Sequence, residues 1–431
     1  MRSSIWSLSL LFALAAVSCS KKDAEDDTAT DESQEDPTSG GSTSGGGSSE
    51  GGTTSGSGSS GGTTTGENSA SCVAPAAVIH MTYKIQATAS IGYGTNECGS
   101  WVYETVGNAN EGNSPTLALD GTGTPYIVSQ TTTGGNIKLS KRNSNKTWTT
   151  QTIYTGDVAF DFAIAIDSSD YVHIAYGSSI GNPDRRLYHL SNRSGSWVRT
   201  LADNSADVGT YVSMALDSQD VAHIAHYQAV DSSKGNLRYA TVSASSTSQA
   251  QVEFTASAGS GYNGTSILVD SNDKEYIAFH QYKDASNVWL HDLYVATNAS
   301  GSWLKTLIHP TSSAYYGTAI VADSLGQFHV AHLDTNNSYG IMDYASGSWS
   351  AASSSPGAIS GNGSSNIRLG VDKANKLHMM ISQYNSGQSK FVISYATNTS
   401  GSWATTALSP NADPGSDISF GIVGVKAQNS W

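Results

Sequence analysis

Histidine and tyrosine recur along this chain at a spacing that invites a chemical reading: His80, Tyr126, His173, His223, Tyr276, His329 and His378. Six residues before each of the last six stands an aspartate, at positions 120, 167, 217, 270, 323 and 372. A carboxylate beside an imidazole is the pairing that general-base catalysis uses, and grouped imidazoles are metal ligands. The spacing speaks against both. The aspartates lie 47 to 53 residues apart, one per repeating unit, so the pairs are dispersed and do not converge on one ion with tetrahedral geometry. Three residues after each aspartate comes Gly123, Asp170, Asp220, Asp273, Gly326 or Asn375, types that accept left-handed backbone at the tip of a tight hairpin. The expected role of each pair is a hydrogen bond that staples this hairpin. Neither a metal nor a cofactor is expected.

The elements that must position these residues are strands. Val212–Leu216 before one aspartate and His223–Ala225 after it alternate as half-buried strands do. Each unit carries two more strands around a second hairpin, marked by Gly-Ser-Trp at 99–101, 195–197, 301–303, 347–349 and 401–403 and by Thr147-Trp148 once. The unit around 218–255 has no tryptophan there. Four strands per unit of about fifty residues is a propeller blade. The ends supply one blade more: Val78–Tyr83 repeats a second strand, Trp101–Val106 an outer one, and Ile418–Val423 a first strand with no partner. The expected fold is all-β: a seven-bladed β-propeller of four-stranded blades, closed by N- and C-terminal strands and leaving no free sheet edge.

Repeated residues serve the repeat, so a binding site is expected among those that depart from it. Loops joining second to third strands and blade to blade share one face. They hold Arg185, Arg186, Tyr211, Tyr262, Tyr282, Trp289, His291, Tyr315, Tyr316 and Tyr384, and near them His226, His280 and His332 interrupt the strand pattern. Aromatic rings with amide and hydroxyl neighbours stack on sugars and anchor protein interfaces.

The units, reading His-Ile-Ala-Tyr … Tyr-Ala-Thr … Gly-Ser-Trp, resemble those of secreted bacterial propellers and are distantly similar to sialidase-type propellers with Asp-box repeats. The resemblance spans about residues 76–431 and implies the fold. It does not carry over a catalytic set: the outer hairpins, such as Asn298–Trp303 and Asn398–Trp403, lack the Asp of the Asp box. The three-arginine clamp that a sialidase closes on its substrate carboxylate finds no match either, since Arg193 and Arg199 flank an outer hairpin.

Residues 1–18 read as a signal peptide, with Arg2 in a basic start and an apolar core over Ile5–Val17. The core ends in Ala16-Val17-Ser18-Cys19, which resembles the bacterial lipobox and implies lipidation of Cys19. Ser20, where an Asp would signal retention, points to outer-membrane sorting. With Cys19 acylated, Cys72 and Cys98 are the two cysteines left to pair in an oxidising compartment. Residues 19–71 form an acidic, then Gly/Ser/Thr-rich tether, unable to bury enough surface to order itself, and spanning roughly 40 Å as a coil of about fifty residues. The propeller occupies 72–431.

Net charge is −14, from 36 acidic and 22 basic residues. Ten acids and three bases precede residue 72, which leaves 26 against 19, or −7, for the propeller. That balance excludes a nucleic-acid partner, which requires a basic face. The expectation is a monomeric propeller anchored to the envelope membrane by lipid, recognising a glycan or an envelope protein through its loop face without catalysis. Two alternatives stand beside it: an envelope-assembly scaffold, and a polysaccharide-active enzyme, glycosidase or lyase. The lyase would draw base, acid and carboxylate-neutralising groups from His226, His280, His332, Tyr282 and Arg185. It requires two of these histidines and an arginine in one pocket near the axis.

Overall fold

The computed structural model describes residues 72–423, apart from 157–158, 179–184, 231–234, 253–259, 286–287, 311–316, 335–337, 360–364 and 411. The signal peptide, Cys19, the tether, Tyr315 and Tyr316 therefore lie outside the described residues, as do the side chains of Tyr262, Tyr282, Trp289 and His291. The described residues form seven antiparallel sheets and no helix. Blade one joins Ile79–Ile85, Ser90–Thr95 and Val102–Val106 to Pro414–Ile422, which hydrogen-bonds along Ile79–Ile85 as the innermost strand. Blades two to seven follow in order over 113–154, 159–203, 208–251, 260–309, 319–351 and 365–408. The seven-bladed count and the closure by both chain ends are as the sequence predicts. The disulfide Cys72–Cys98 ties the segment before blade one to that blade's outer hairpin.

Three of the six aspartate hairpins carry the expected staple to histidine, whereas His329 lies 3.8 Å from Asp323 and turns its Nδ1 to Asp343 at 2.7 Å. Asp167 Oδ1 accepts the Ser169 and Tyr171 amides at 2.9 and 2.8 Å, and its Oδ2 lies 3.2 Å from His173 Nε2. Asp217 with His223 and Asp372 with His378 repeat the arrangement. The third residue of each turn has positive φ, from 56° at Asp273 to 88° at Gly123. Its side chain also reaches the preceding blade: Asp220 accepts the Ser168 amide and hydroxyl, and Asp273 those of Ser218.

Apolar side chains fill the seams between blades. In six seams the following blade's tryptophan wedges into the cluster: Trp148 sits edge-on to Tyr93 at 5.0 Å, Trp303 to Tyr239 at 5.1 Å and Trp101 to Tyr395 at 5.8 Å. Trp197, Trp349 and Trp403 pack against the clusters that hold Leu139, Val295 and Ile341. The apolar cluster in the seam between blades three and four, the one whose tryptophan is missing from the sequence, contains no aromatic ring.

Candidate functional site

Of the residues singled out from sequence, His226, His280 and His332 are buried. His226 Nε2 lies 3.4 Å from Asp203 Oδ2, inside the seam between blades three and four. Asp203 also accepts Arg238 Nε at 2.7 Å and the Ser205 amide at 2.8 Å. Burial works against the Asp203 charge, but its contacts with His226 and Arg238 outweigh it and hold the carboxyl well below the usual range. His332 packs at a tilt against His309 of the neighbouring blade, ring centroids 4.5 Å apart, and burial pushes its pKa down to about 4. His280 is likewise buried. His226 and His332 thus take these contacts from a neighbouring blade.

The loop-face arginines and tyrosines are engaged by neighbouring residues. Arg185 Nε is 3.9 Å from Asp207, and Arg186 donates to Asn204 and to the Arg185 carbonyl. Tyr211 and Tyr384 pack on Tyr227 and Phe391. Tyr211 leads to a site that the sequence did not reveal. Its amide donates to Asp161 Oδ2 at 2.9 Å, on the innermost strand of the preceding blade.

Asp161 occupies a ring position. Six residues before each hairpin aspartate come Ser114, Asp161, Tyr211, Gly264, Gly317 and Asn366, and blade one contributes Asp417, six before Val423. Each sits where the innermost strand begins on the loop face. At Ser114, Asp161 and Tyr211 the backbone is left-handed, with φ of 47°, 48° and 51°. The pairing register shifts at the same points, between Asn113 and Thr116, Phe160 and Ala163, and Thr210 and Ser213. Such bulges re-aim side chains at the rims of sheets. Two residues further on, Thr116, Ala163, Ser213, Ser266, Ala319 and Ser419 are small, and blade seven alone has an arginine, Arg368.

Asp161, Asp417, Asn366 and Arg368 line a cavity of about 50 Å³ with Ser114 and Thr116. Arg368 is buried and donates to the Ile367 carbonyl at 2.8 Å; burial pulls its pKa down to about 10, against the pull of Asp417 and Asp161. Asp417 accepts the Ser416 hydroxyl, and Asn366 donates to the Ser416 carbonyl. Burial raises the Asp161 carboxyl above the usual range, and Asp417 adds to this. The Tyr211 amide, Arg185 and Arg368 offset only part of it. Arg185, a residue expected from sequence, therefore acts on this site through its charge. Carboxylates that accept, beside a guanidinium and a carboxamide that donate, match the paired donors and acceptors of neighbouring hydroxyl groups.

A wider cleft of about 540 Å³ lies on the opposite face between blades one and two. Two of its cations are already neutralised: Arg142 grips Glu97 with two bonds of 2.9 and 3.3 Å, and Lys146 reaches it at 2.6 Å.

No protein-family model and no curated protein matches the chain. Its fold is similar to those of solved structures. AofleA from Arthrobotrys oligospora is 12% identical, the match covering 74% of this chain and 92% of that one, with a TM-score of 0.45. An ulvan lyase is 11% identical over 73% and 86% of the two chains, at 0.45. The α-L-arabinanase of Penicillium chrysogenum is 8% identical over 65% and 92%, at 0.44. At these values the likeness does not extend to a site or an activity.

Proposed function

We propose that the chain is a recognition module that binds a glycan at the axial mouth of its loop face without transforming it, displayed at the cell envelope by lipid on Cys19. The observation that carries the reading is the gathering of Asp161, Asp417 and Arg368 around one cavity on the axis, where the other blades present small or uncharged residues. A cavity of about 50 Å³ is far smaller than the 300–1,000 Å³ typical of whole-ligand pockets. It suits the edge of a sugar, two adjacent hydroxyls, with the ring resting on the loops around it. Carboxylate oxygens accept from those hydroxyls while Arg368 and Asn366 donate to them.

One observation favours a second reading, polysaccharide cleavage. Asp161 is a carboxyl raised by burial next to a second carboxyl, Asp417, and glycosidases set such a pair apart as acid and partner. A glycan array probed with the purified chain and with Asp161→Asn, followed by product analysis on every hit, tests both. The expected result is binding that Asp161→Asn weakens at least tenfold, with no product released. Binding unchanged in the variant, or no glycan bound, overturns the proposal; shortened glycans favour the second reading.

A further inference from the structure

The seam between blades three and four holds a cavity of about 360 Å³, lined by His173, His189, Arg193, Val198, Val242 and Ser243 among others. Its origin lies in two departures from the repeat. Counting from the strand pairing, Thr247 stands where blade five has Trp303, since Thr241 pairs with Ser248 as Thr297 pairs with Leu304. The hairpin keeps its length, closed by the Ser243 amide on the Ser246 carbonyl at 2.9 Å. The frame of the wedge is present without its ring. The second departure is at the floor. The residue that Trp303 covers in blade four is Tyr239, and its counterpart in blade three is His189.

The floor has a fixed hydrogen-bond polarity. His173 Nε2 faces the Asp167 carboxylate at 3.2 Å, and its Nδ1 lies 3.0 Å from His189 Nε2. A carboxylate only accepts, so neutral His173 carries its proton on Nε2 and accepts at Nδ1; His189 must then donate from Nε2. That tautomer leaves a lone pair on His189 Nδ1, to which no described residue donates. Both rings are buried and neutral at pH 7: burial lowers the pKa of His173, and takes that of His189 to about 3 with the help of His173.

We propose that this seam is a binding site for a planar aromatic ring bearing an N–H or O–H donor, an indole or a phenol, presented by a small molecule or by an aromatic side chain of a polypeptide. Six seams hold an indole between the same two blade edges, and the seventh keeps the space. His189, an acceptor held in one tautomer by Asp167 through His173, calls for a donor on that ring. In two of the filled seams the indole N–H finds an acceptor too: Trp148 donates to Glu104 at 3.0 Å and Trp403 to the Ser354 carbonyl at 3.2 Å. The site lies on the hairpin face, opposite the axial mouth, and does not depend on what binds there.

The test titrates the full chain with two probes, free indole and a capped Gly-Trp-Gly peptide, following imidazole nitrogen shifts by NMR. Saturable shifts of the His189 nitrogens with indole are expected, and Thr247→Trp, which restores the missing wedge, should weaken binding at least tenfold. A matched melting curve shows that the variant is folded. Binding of indole alone assigns the site to small molecules; comparable or tighter binding of the peptide assigns it to side chains. His189→Phe keeps a ring at the floor but removes the acceptor, and should weaken both probes while leaving benzene binding unchanged. No saturable shift with either probe, or shifts undiminished in Thr247→Trp, overturns the proposal.

Discussion

Replacing Asp203 by asparagine separates a structural histidine from a catalytic one. The Asp203 carboxylate is fully buried and faces three partners: Arg238 Nε at 2.7 Å, the Ser205 amide at 2.8 Å and His226 Nε2 at 3.4 Å. Asp203→Asn keeps the volume and removes the charge, so the Arg238 guanidinium is left buried without its anion. Breaking a buried pair from one side costs about 3–5 kcal/mol, and the amide still accepts one bond, which places the expected loss near 3 kcal/mol. With a urea dependence of about 3 kcal/mol per molar, the unfolding midpoint falls by about 1 M. Arg238→Met alone strands the anion and should cost a similar amount, whereas the double variant should cost about 2 kcal/mol less than the sum. Folding lowers the Asp203 pKa, so its contribution is present above the unfolded value of about 3.9 and is lost as pH falls through the folded value. The variant's deficit should therefore shrink in acid. Additive single variants, or a loss of ligand binding at unchanged stability, would refute the assignment of His226 and its neighbours to the fold.

Trp303→Ala should destabilise by about 2–4 kcal/mol in urea unfolding, because it leaves a cavity beside Tyr239 but removes a half-buried ring. Asp161→Asn should instead raise stability near neutral pH. A carboxyl whose folded pKa is raised disfavours the fold above that pKa and ceases to do so below its unfolded value, so the gain disappears in acid; a variant less stable at pH 7 would contradict this. Reducing Cys72–Cys98, 26 residues apart in sequence, should cost about 3.5 kcal/mol by the loop-entropy estimate, read as a shift of the melting curve with and without reductant. Cys19→Ser should release the chain from the membrane fraction and abolish palmitate labelling.

The blades were legible because the repeat writes its own turn chemistry. Asp at the hairpin start, Gly, Asn or Asp at the left-handed position and His six residues on are local requirements of one tight turn, and local requirements leave a mark at fixed spacing. The closure by Ile79–Ile85 on Pro414–Ile422 was readable for a related reason: two incomplete blades at the ends of a ring have no other partners. The histidines outside the repeat were legible only as exceptions. Whether His226 turned outward or toward Asp203 depends on which blade face its strand presents, and that is settled by packing against a neighbour about twenty residues earlier.

The axial mouth lay beyond what the chain shows in linear order. Asp161, Arg368 and Asp417 are separated by 207 and 49 residues and belong to three different blades, so only the ring brings them together. Even the ring position, six residues before each hairpin aspartate, goes unnoticed while it is occupied by Ser, Asp, Tyr, Gly and Asn in turn. By contrast, the missing tryptophan of blade four was plain from the sequence, but not what its absence leaves. A repeat determines where a side chain should be. Whether the place collapses or stays open over His189 is decided by the two blades that frame it, because backbone hydrogen bonds within each hairpin fix its shape whatever lies between the blades.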